Sequence, residues 1–289
     1  MFEGLPIEQQ VPLAPFTTFK IGGPAKYFLR AKTLAELLQA LTMAQSSNMA
    51  VYILGGGSNV LVHDRGFDGL VIKMELHDIS ITTTRLTAGA GVLLNTAIRL
   101  AVNAGLAGLE FATGVPASVG GAVWANLGCR GSDISQIVES VVACDRQGNQ
   151  KIFTRADCQF QYRDSMFKHQ PWIILQASFQ LHFGDNTALR QRMVALTKLK
   201  KNEQNVGEDT AGCAFRNPIN STASQLIDQL GLKGFQIGGA KVSERHANFI
   251  INTGQATADQ VVQLISYIKQ QVRDQLGVQL QEEIEYVGF

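Results

Sequence analysis

Long hydrophobic runs are missing from this chain of 289 residues. No stretch reaches the roughly 18 apolar residues that a membrane-spanning helix requires. The N-terminal segment also lacks a basic region followed by a long apolar one, so no secretory signal is expected. Cysteine is sparse: Cys129, Cys144, Cys158 and Cys213 stand far apart and form no C-x-x-C pair. A disulfide scaffold and a zinc knuckle are therefore not expected. The five histidines, His63, His77, His169, His182 and His246, show no metal-ligand spacing. Charge of one sign is lacking too. Lys plus Arg is 25 and Asp plus Glu is 24, a net +1. That balance excludes a broad basic surface for nucleic acid or anionic lipid, but leaves room for a local anion site. Reduced thiols and a cytoplasmic location are the simplest expectation.

What is present is apolar material and glycine. Hydrophobic residues make up 45% and charged residues 17%, which suits a large core and rules out global disorder. The length suggests two domains or three small ones. Glycine is 28 of 289, against about 20 at usual frequencies. Part of the excess sits in runs at Gly22-Gly23, Gly55-Gly56-Gly57, Gly120-Gly121 and Gly238-Gly239. Three capping boxes mark helix starts: Thr33 with Glu36, Thr222 with Gln225, and Thr257 with Gln260. Helical patterns also cover 93–104 and 188–201. Strand patterns cover 51–54, 60–62, 70–73, 79–83, 85–89, 138–144, 150–154, 172–183, 248–252 and 279–285. Strict alternation is absent, and the stretches 70–89 and 138–183 read as antiparallel pairs. The fold class expected is α+β with mixed sheets. Polar segments at 185–189 and 202–210 suggest a domain boundary.

Five motifs could carry chemistry. Leu54-Gly-Gly-Gly-Ser-Asn-Val60 follows an apolar strand and can turn peptide N–H groups toward an anion, with Ser58 and Asn59 as added donors. It fits neither G-x-G-x-x-G nor a P-loop, and a plain connecting turn is the alternative. Ala112-Thr-Gly-Val-Pro-Ala-Ser-Val-Gly-Gly-Ala-Val-Trp-Ala-Asn126 surrounds Gly114, Gly120 and Gly121 with small residues. A helix starting near Ser118 would aim its first N–H groups at an anion, or simply pack tightly on a sheet. Gln161-Tyr-Arg-Asp-Ser-Met-Phe-Lys168 offers Arg163 as a fork for a carboxylate, or as an ordinary solvated ion-pair partner. Ala211-Gly-Cys-Ala-Phe-Arg-Asn-Pro218 holds Cys213, whose bland reading is a buried apolar thiol. In 280–288, a strand would put Glu283 and Glu285 on one face and Glu282 on the other, so one carboxyl is a candidate acid.

These motifs, in this order, resemble the UDP-N-acetylenolpyruvoylglucosamine reductases. The resemblance starts at Thr17-Thr-Phe-Lys-Ile-Gly-Gly-Pro-Ala25 and runs through Asp64-Arg-Gly-Phe-Asp-Gly69 to 280–288, nearly the whole chain. Each motif alone is weak, whereas the ordered set is specific. The resemblance implies a two-part FAD-binding fold of the vanillyl-alcohol-oxidase type, at 1–75 and 76–186, followed by a substrate domain at 187–289. It implies NADPH-dependent reduction of the enolpyruvyl ether on UDP-N-acetylglucosamine, giving UDP-N-acetylmuramate for peptidoglycan. It further implies tight, non-covalent FAD held by Leu54, Gly55, Gly56, Gly57, Ser58 and Asn59, and by Gly114, Val115, Pro116, Ser118, Val119 and Gly120. Arg163 and Glu283 take the role of stabilising charge on the substrate carboxylate, and Cys213 falls where the family's proton-donating serine stands. Tyr162, Asn217, Lys233 and His246 fall on substrate positions. No nucleic acid or membrane partner and no metal are implied.

The chain departs from the family pattern at Cys213, at Ala117 where glycine is usual, at 126–131, and at the proline-free 200–210 segment. The absence of a long insertion after Tyr162 resembles the family's shorter, type II form. Two other readings fit parts of the pattern: another FAD-dependent oxidase or dehydrogenase on the same fold, and a nucleotide-binding scaffold without turnover.

Overall fold

The computed structural model describes residues 4–200 and 207–289 in full and the backbone of 201–203. Residues 1–3 of the N-terminal segment and 204–206 of the 200–210 departure lie outside the described residues. The chain divides into two compact units, each discontinuous in sequence. The first is Met1–Gln9, Tyr27–Gly56 and Gly69–Lys198; the second is Gln10–Lys26, Gly57–Asp68 and Leu199–Phe289.

In the first unit, Val51–Leu54 pairs in parallel with Phe67–Met74, Val51 opposite Leu70 and Leu54 opposite Lys73. The helix Leu34–Ser46 begins at the Thr33 capping box, in which Thr33 accepts from Glu36 N and the Glu36 side chain accepts from Thr33 N. It buries Leu37, Ala40, Leu41 and Ala44 on one face. A second, five-stranded antiparallel sheet runs in the order Gln150–Thr154, Val138–Cys144, Ile173–Gln180, Arg85–Gly89, Ile79–Thr82. The helix Leu94–Asn103 buries Leu94, Ala97, Ile98, Ala101 and Val102 in the same core. The 138–183 stretch is antiparallel, as its alternation suggested. The 70–89 stretch is split: Phe67–Met74 joins the other sheet, and only Ile79–Thr82 and Arg85–Gly89 form a hairpin. Parallel partners lie far apart in sequence, so local alternation cannot reveal them.

The second unit has a four-stranded antiparallel sheet ordered Asp209–Cys213, Phe249–Asn252, Ala240–Val242, Gln236–Ile237. The helix Ala258–Leu276 starts at the Thr257 capping box and stops at Gly277, whose φ of 68° is the left-handed geometry a helix end uses. It buries Val261, Leu264, Ile265, Ile268 and Val272 with Phe215, Leu226 and Leu61. The strand expected at 279–285 is displaced toward the C-terminus and shares only Glu285 with that span. Only Glu285–Val287 forms a strand, parallel to Val60–Val62, while Glu282 makes a single antiparallel bridge to Phe215. The chain switches partners inside that segment, which breaks the ladder. No described helix is long and apolar enough to cross a membrane.

Phe179 is fully buried and Phe183 is exposed, though they lie four residues apart. Phe179→Ala should lower the unfolding free energy by about 3–5 kcal/mol, and Phe183→Ala should change it by no more than about 0.5 kcal/mol. Urea melts followed by circular dichroism give both values; equal losses would contradict this core assignment.

Candidate active site

The glycine-rich run of the first unit leaves the sheet at buried Leu54. A Cβ on Gly55 would lie 2.6 Å from Ser118 Oγ, and one on Gly56 would lie 2.9 Å from Pro116 O and 3.0 Å from Ser118 N. Only residues without a Cβ let 55–56 and 116–118 approach this closely. Behind the turn, Lys73 donates its ammonium to Gly55 O. Burial holds the Lys73 amine below its usual pKa, with Glu75 working in the opposite direction. Asn95 braces the second run, accepting from Gly114 N at 2.8 Å and donating to Val115 O at 3.0 Å. Gly114 sits at φ 81°, which suits glycine. Pro116 is exposed, and Ala117 is buried without a positive φ, so its methyl is accommodated where glycine was expected.

The short helix Val119–Trp124 corrects one expectation. Its first N–H groups do not point at an open anion site. Val119 N donates to Val92 O, Gly120 N to Ala90 O, and Gly121 N to the capping Ser118 Oγ. Gly120 is needed for packing, because a Cβ there would lie 2.8 Å from Ala90 Cβ. The close approach of Gly55 and Gly56 to 116–118 instead brings the two glycine-rich runs side by side with Lys73 behind them, which makes that turn the stronger candidate for a phosphate-bearing ligand.

Arg163 sits in a tight turn of the first unit. Gln161 and Asp164 exchange backbone hydrogen bonds at 3.0 and 3.1 Å, leaving Tyr162 and Arg163 at the tip. Arg163 takes φ 56°, uncommon for a residue with a Cβ. Its Nη1 donates to Gly128 O at 2.7 Å, and its guanidinium carbon lies 5.7 Å from the centre of the exposed Tyr162 ring. Asn126 ties the turn down, donating to Gln161 O at 2.8 Å and accepting from Ser135 N at 3.0 Å. The departing 126–131 segment thus serves to position Arg163. Asp164 pairs with His169 at 2.9 Å.

In the second unit, Gly57 has φ 67°, and a Cβ there would lie 2.0 Å from Phe16 O. Its carbonyl accepts from Thr18 N at 2.9 Å. Ser58 and Asn59 are half-buried. Asn59 Nδ2 donates to Glu283 O at 2.9 Å. Cys213 is half-buried at the end of Asp209–Cys213, just after a register break and Gly212 at φ 83°. Such an irregularity re-aims the side chain that follows it. Glu283 N donates to Ala214 O at 2.8 Å, so the segments carrying Cys213 and Glu283 lie side by side. Glu282 is engaged elsewhere: Lys269 donates to it at 2.5 Å and Tyr286 OH also donates to it. Asn217 Oδ1 accepts from Ala223 N at 3.1 Å, capping the Ala223–Gln229 helix. Lys233 pairs with Asp228 at 2.7 Å. The His246 ring packs 4.7 Å from that of Phe249.

Arg216 was not singled out in the sequence. Its Nε is buried without a hydrogen-bond partner among the described residues, an arrangement that suits an incoming anion. Its place in the Cys213 motif was visible, but its unsatisfied nitrogen was not. Lys73 stands outside the five motifs, although a charge ending the apolar run Leu70-Val-Ile72 is a signal.

Family models match two regions: an FAD binding domain at residues 25–153, and the UDP-N-acetylenolpyruvoylglucosamine reductase C-terminal domain at 204–287. The chain is 40% identical over 285 residues to the UDP-N-acetylenolpyruvoylglucosamine reductase of Anoxybacillus flavithermus, covering 98% of this chain and 94% of that one. To the enzyme of the same name from Lactobacillus delbrueckii subsp. bulgaricus it is 36% identical over 287 residues, covering 99% and 97%. The crystal structure of the Thermus caldophilus reductase superposes with a TM-score of 0.84 at 33% identity, covering 98% of this chain and 99% of that one.

Burial sorts the four thiols. It pushes Cys144 up to about 11 and Cys158 up to about 12, with Asp145 and Asp157 adding to the shift. The thiolate is the reactive form, so at pH 8 only about one Cys144 in a thousand is reactive. Cys129 and Cys213 are half-buried. Iodoacetamide should therefore label Cys129 and Cys213 in the folded protein, and Cys144 and Cys158 only after unfolding in guanidinium. Peptide mass spectrometry reads the result, and fast labelling of Cys144 in the folded chain would contradict it.

Proposed function

The chain belongs to the UDP-N-acetylenolpyruvoylglucosamine reductase family, and from that premise we propose that it reduces UDP-N-acetylglucosamine enolpyruvate to UDP-N-acetylmuramate with NADPH, through Arg163, Cys213 and Glu283. The product feeds peptidoglycan synthesis, and the proposed location is the cytoplasm. In this reading 1–75 and 76–186 serve the flavin and 187–289 serves the substrate.

The residues present fit FAD. Packing of Gly55 and Gly56 on 116–118 brings the two glycine-rich runs together, and Lys73 stands behind the turn. We assign the flavin to Leu54, Gly55, Gly56, Gly57 and Ser58, and to Gly114, Val115, Pro116, Ser118, Val119 and Gly120; Asn59, in the same run, turns its side chain to Glu283 O. Bound there, FAD would supply hydride transfer between NADPH and the methylene carbon of the enolpyruvyl group. Arg163 then holds the substrate carboxylate as negative charge builds on it, the task its planar fork of donors performs well. Glu283, as the protonated carboxyl, shares its proton with the enolate and so offsets that charge. Cys213 donates its S–H proton to the neighbouring carbon and recovers one from solvent. Asn217 and Lys233 meet the substrate's diphosphate or carboxylate. The Lys233–Asp228 pair is partly exposed and weak enough to exchange partners. Tyr162 and His246 line the substrate.

The observation that carries the role assignment is the hydrogen bond from Glu283 N to Ala214 O, which sets Glu283 beside the segment of Cys213. Its test separates the two half-reactions. Arg163→Ala and Glu283→Gln should leave flavin bleaching by NADPH largely intact. Reoxidation by the enolpyruvyl substrate should slow by about 10²-fold or more. Cys213→Ala should show the same split, and Cys213→Ser should keep appreciable turnover because a hydroxyl can occupy the same place. Equal loss of both half-reactions in a folded variant would refute the assignment. Acid precipitation should release the flavin into the supernatant; colour retained on the denatured chain would refute non-covalent binding.

A further inference from the structure

We propose that Asn59 is a positioning residue for Glu283, acting in the second half-reaction, although it stands in the glycine-rich run assigned to the flavin. The inference rests on the role given to Glu283 above.

Val60–Val62 pairs in parallel with Glu285–Val287, Val60 opposite Glu285. One residue back, Asn59 O accepts from Glu285 N at 2.9 Å, as a regular parallel ladder requires. In such a ladder the Asn59 peptide N–H would donate to Glu283 O. Here the side-chain Nδ2 makes that bond instead, at 2.9 Å. The substitution has a clear effect. The main chain is released to turn into the glycine run, while Glu283 stays held as if the ladder continued. The orientation of the amide is fixed by its partner, since a carbonyl oxygen only accepts and only the nitrogen end of Asn59 can donate.

Glu283 is clamped from its other side as well. Its N–H donates to Ala214 O at 2.8 Å, beside Cys213, and Arg216 N donates to Gln281 O at 2.8 Å. Both polar groups of the Glu283 backbone are therefore fixed, one by the Cys213 segment and one by Asn59. That fixes the origin and direction of its side chain. Removing the Asn59 donor leaves the Glu283 carbonyl without this partner in a half-buried setting and frees the segment to shift. A displacement on the order of 1 Å can cost about 10²-fold in rate when a group must meet a reacting centre.

The experiment compares Asn59→Leu, Asn59→Asp, Glu283→Gln and the Asn59→Leu/Glu283→Gln double variant. Leu removes the donor at similar volume. Asp keeps size and polarity but turns an acceptor toward the carbonyl, and covers the case in which Leu fails to fold. Flavin affinity is read by fluorescence quenching on adding FAD to apoprotein, and the two half-reactions by flavin absorbance. Both Asn59 variants should bind FAD within about 3-fold of the parent, accept reducing equivalents from NADPH at a similar rate, and reoxidise about 10-fold or more slowly. The double variant should reoxidise no more slowly than Glu283→Gln, because the residue that Asn59 positions is already disabled. FAD affinity weakened 10-fold or more would make Asn59 a flavin ligand and overturn the proposal, as would multiplicative losses in the double variant. Normal reoxidation in the Asn59 variants with slow reoxidation in Glu283→Gln would overturn this proposal alone. Normal reoxidation in Glu283→Gln would overturn the role of Glu283, and this proposal with it.

Discussion

The second unit depends on one return of the chain: its last strand pairs, in parallel, with the residues that follow the glycine-rich run. Val60–Val62 lies against Glu285–Val287, and His63 N continues the ladder to Val287 O at 2.9 Å. Leu61, Leu280 and Ile284 enter one core with the Ala258–Leu276 helix. A Cβ on Gly288 would lie 2.0 Å from Gly66 O, so even the end of the chain is set against backbone. Because this pairing joins the end of the chain to the glycine run, a residue that looks like flavin chemistry and one that looks like acid chemistry share a hydrogen bond.

A second constraint is close backbone approach, and it explains the glycine excess better than flexibility does. Gly55 and Gly56 face 116–118, Gly120 faces Ala90, and Gly23 would place a Cβ 2.0 Å from Asp64 O. In each case the missing side chain is replaced by someone else's main chain. Of the two readings of 118–121, anion binding by a helix N-terminus and tight packing on a sheet, the structure supports packing, because Val92, Ala90 and Ser118 take those N–H groups. The same glycines that signal a ligand in sequence can be spent on packing in structure.

Much was legible where causes are local. The capping boxes at Thr33, Thr222 and Thr257 each start a helix, because box and helix lie within four residues of each other. The hairpin of Val138–Cys144 and Gln150–Thr154 follows alternation for the same reason, whereas Ile173–Gln180 pairs with Val138–Cys144 across the strand that intervenes in sequence. What escaped was non-local. Nothing in 70–73 announces a parallel partner at 51–54, and nothing in 279–284 announces that the segment changes partners. The candidate site divides in the same way. Arg163, Cys213 and Glu283 were nameable through the ordered set of motifs, but what holds them was not: Asn126 and Gly128 for the Arg163 turn, Ala214 and Asn59 for Glu283. Supporting residues of this kind act through backbone carbonyls, which leave no residue-type signature.

Together these parts reduce an enolpyruvyl ether at the expense of NADPH. The most direct measurement follows NADPH absorbance and product together, with the purified flavoprotein and UDP-N-acetylglucosamine enolpyruvate. NADPH loss should be negligible without substrate, and with it one UDP-N-acetylmuramate should form for each NADPH consumed. Steady NADPH oxidation with no UDP-N-acetylmuramate, or none of either in the flavin-loaded protein, would contradict it.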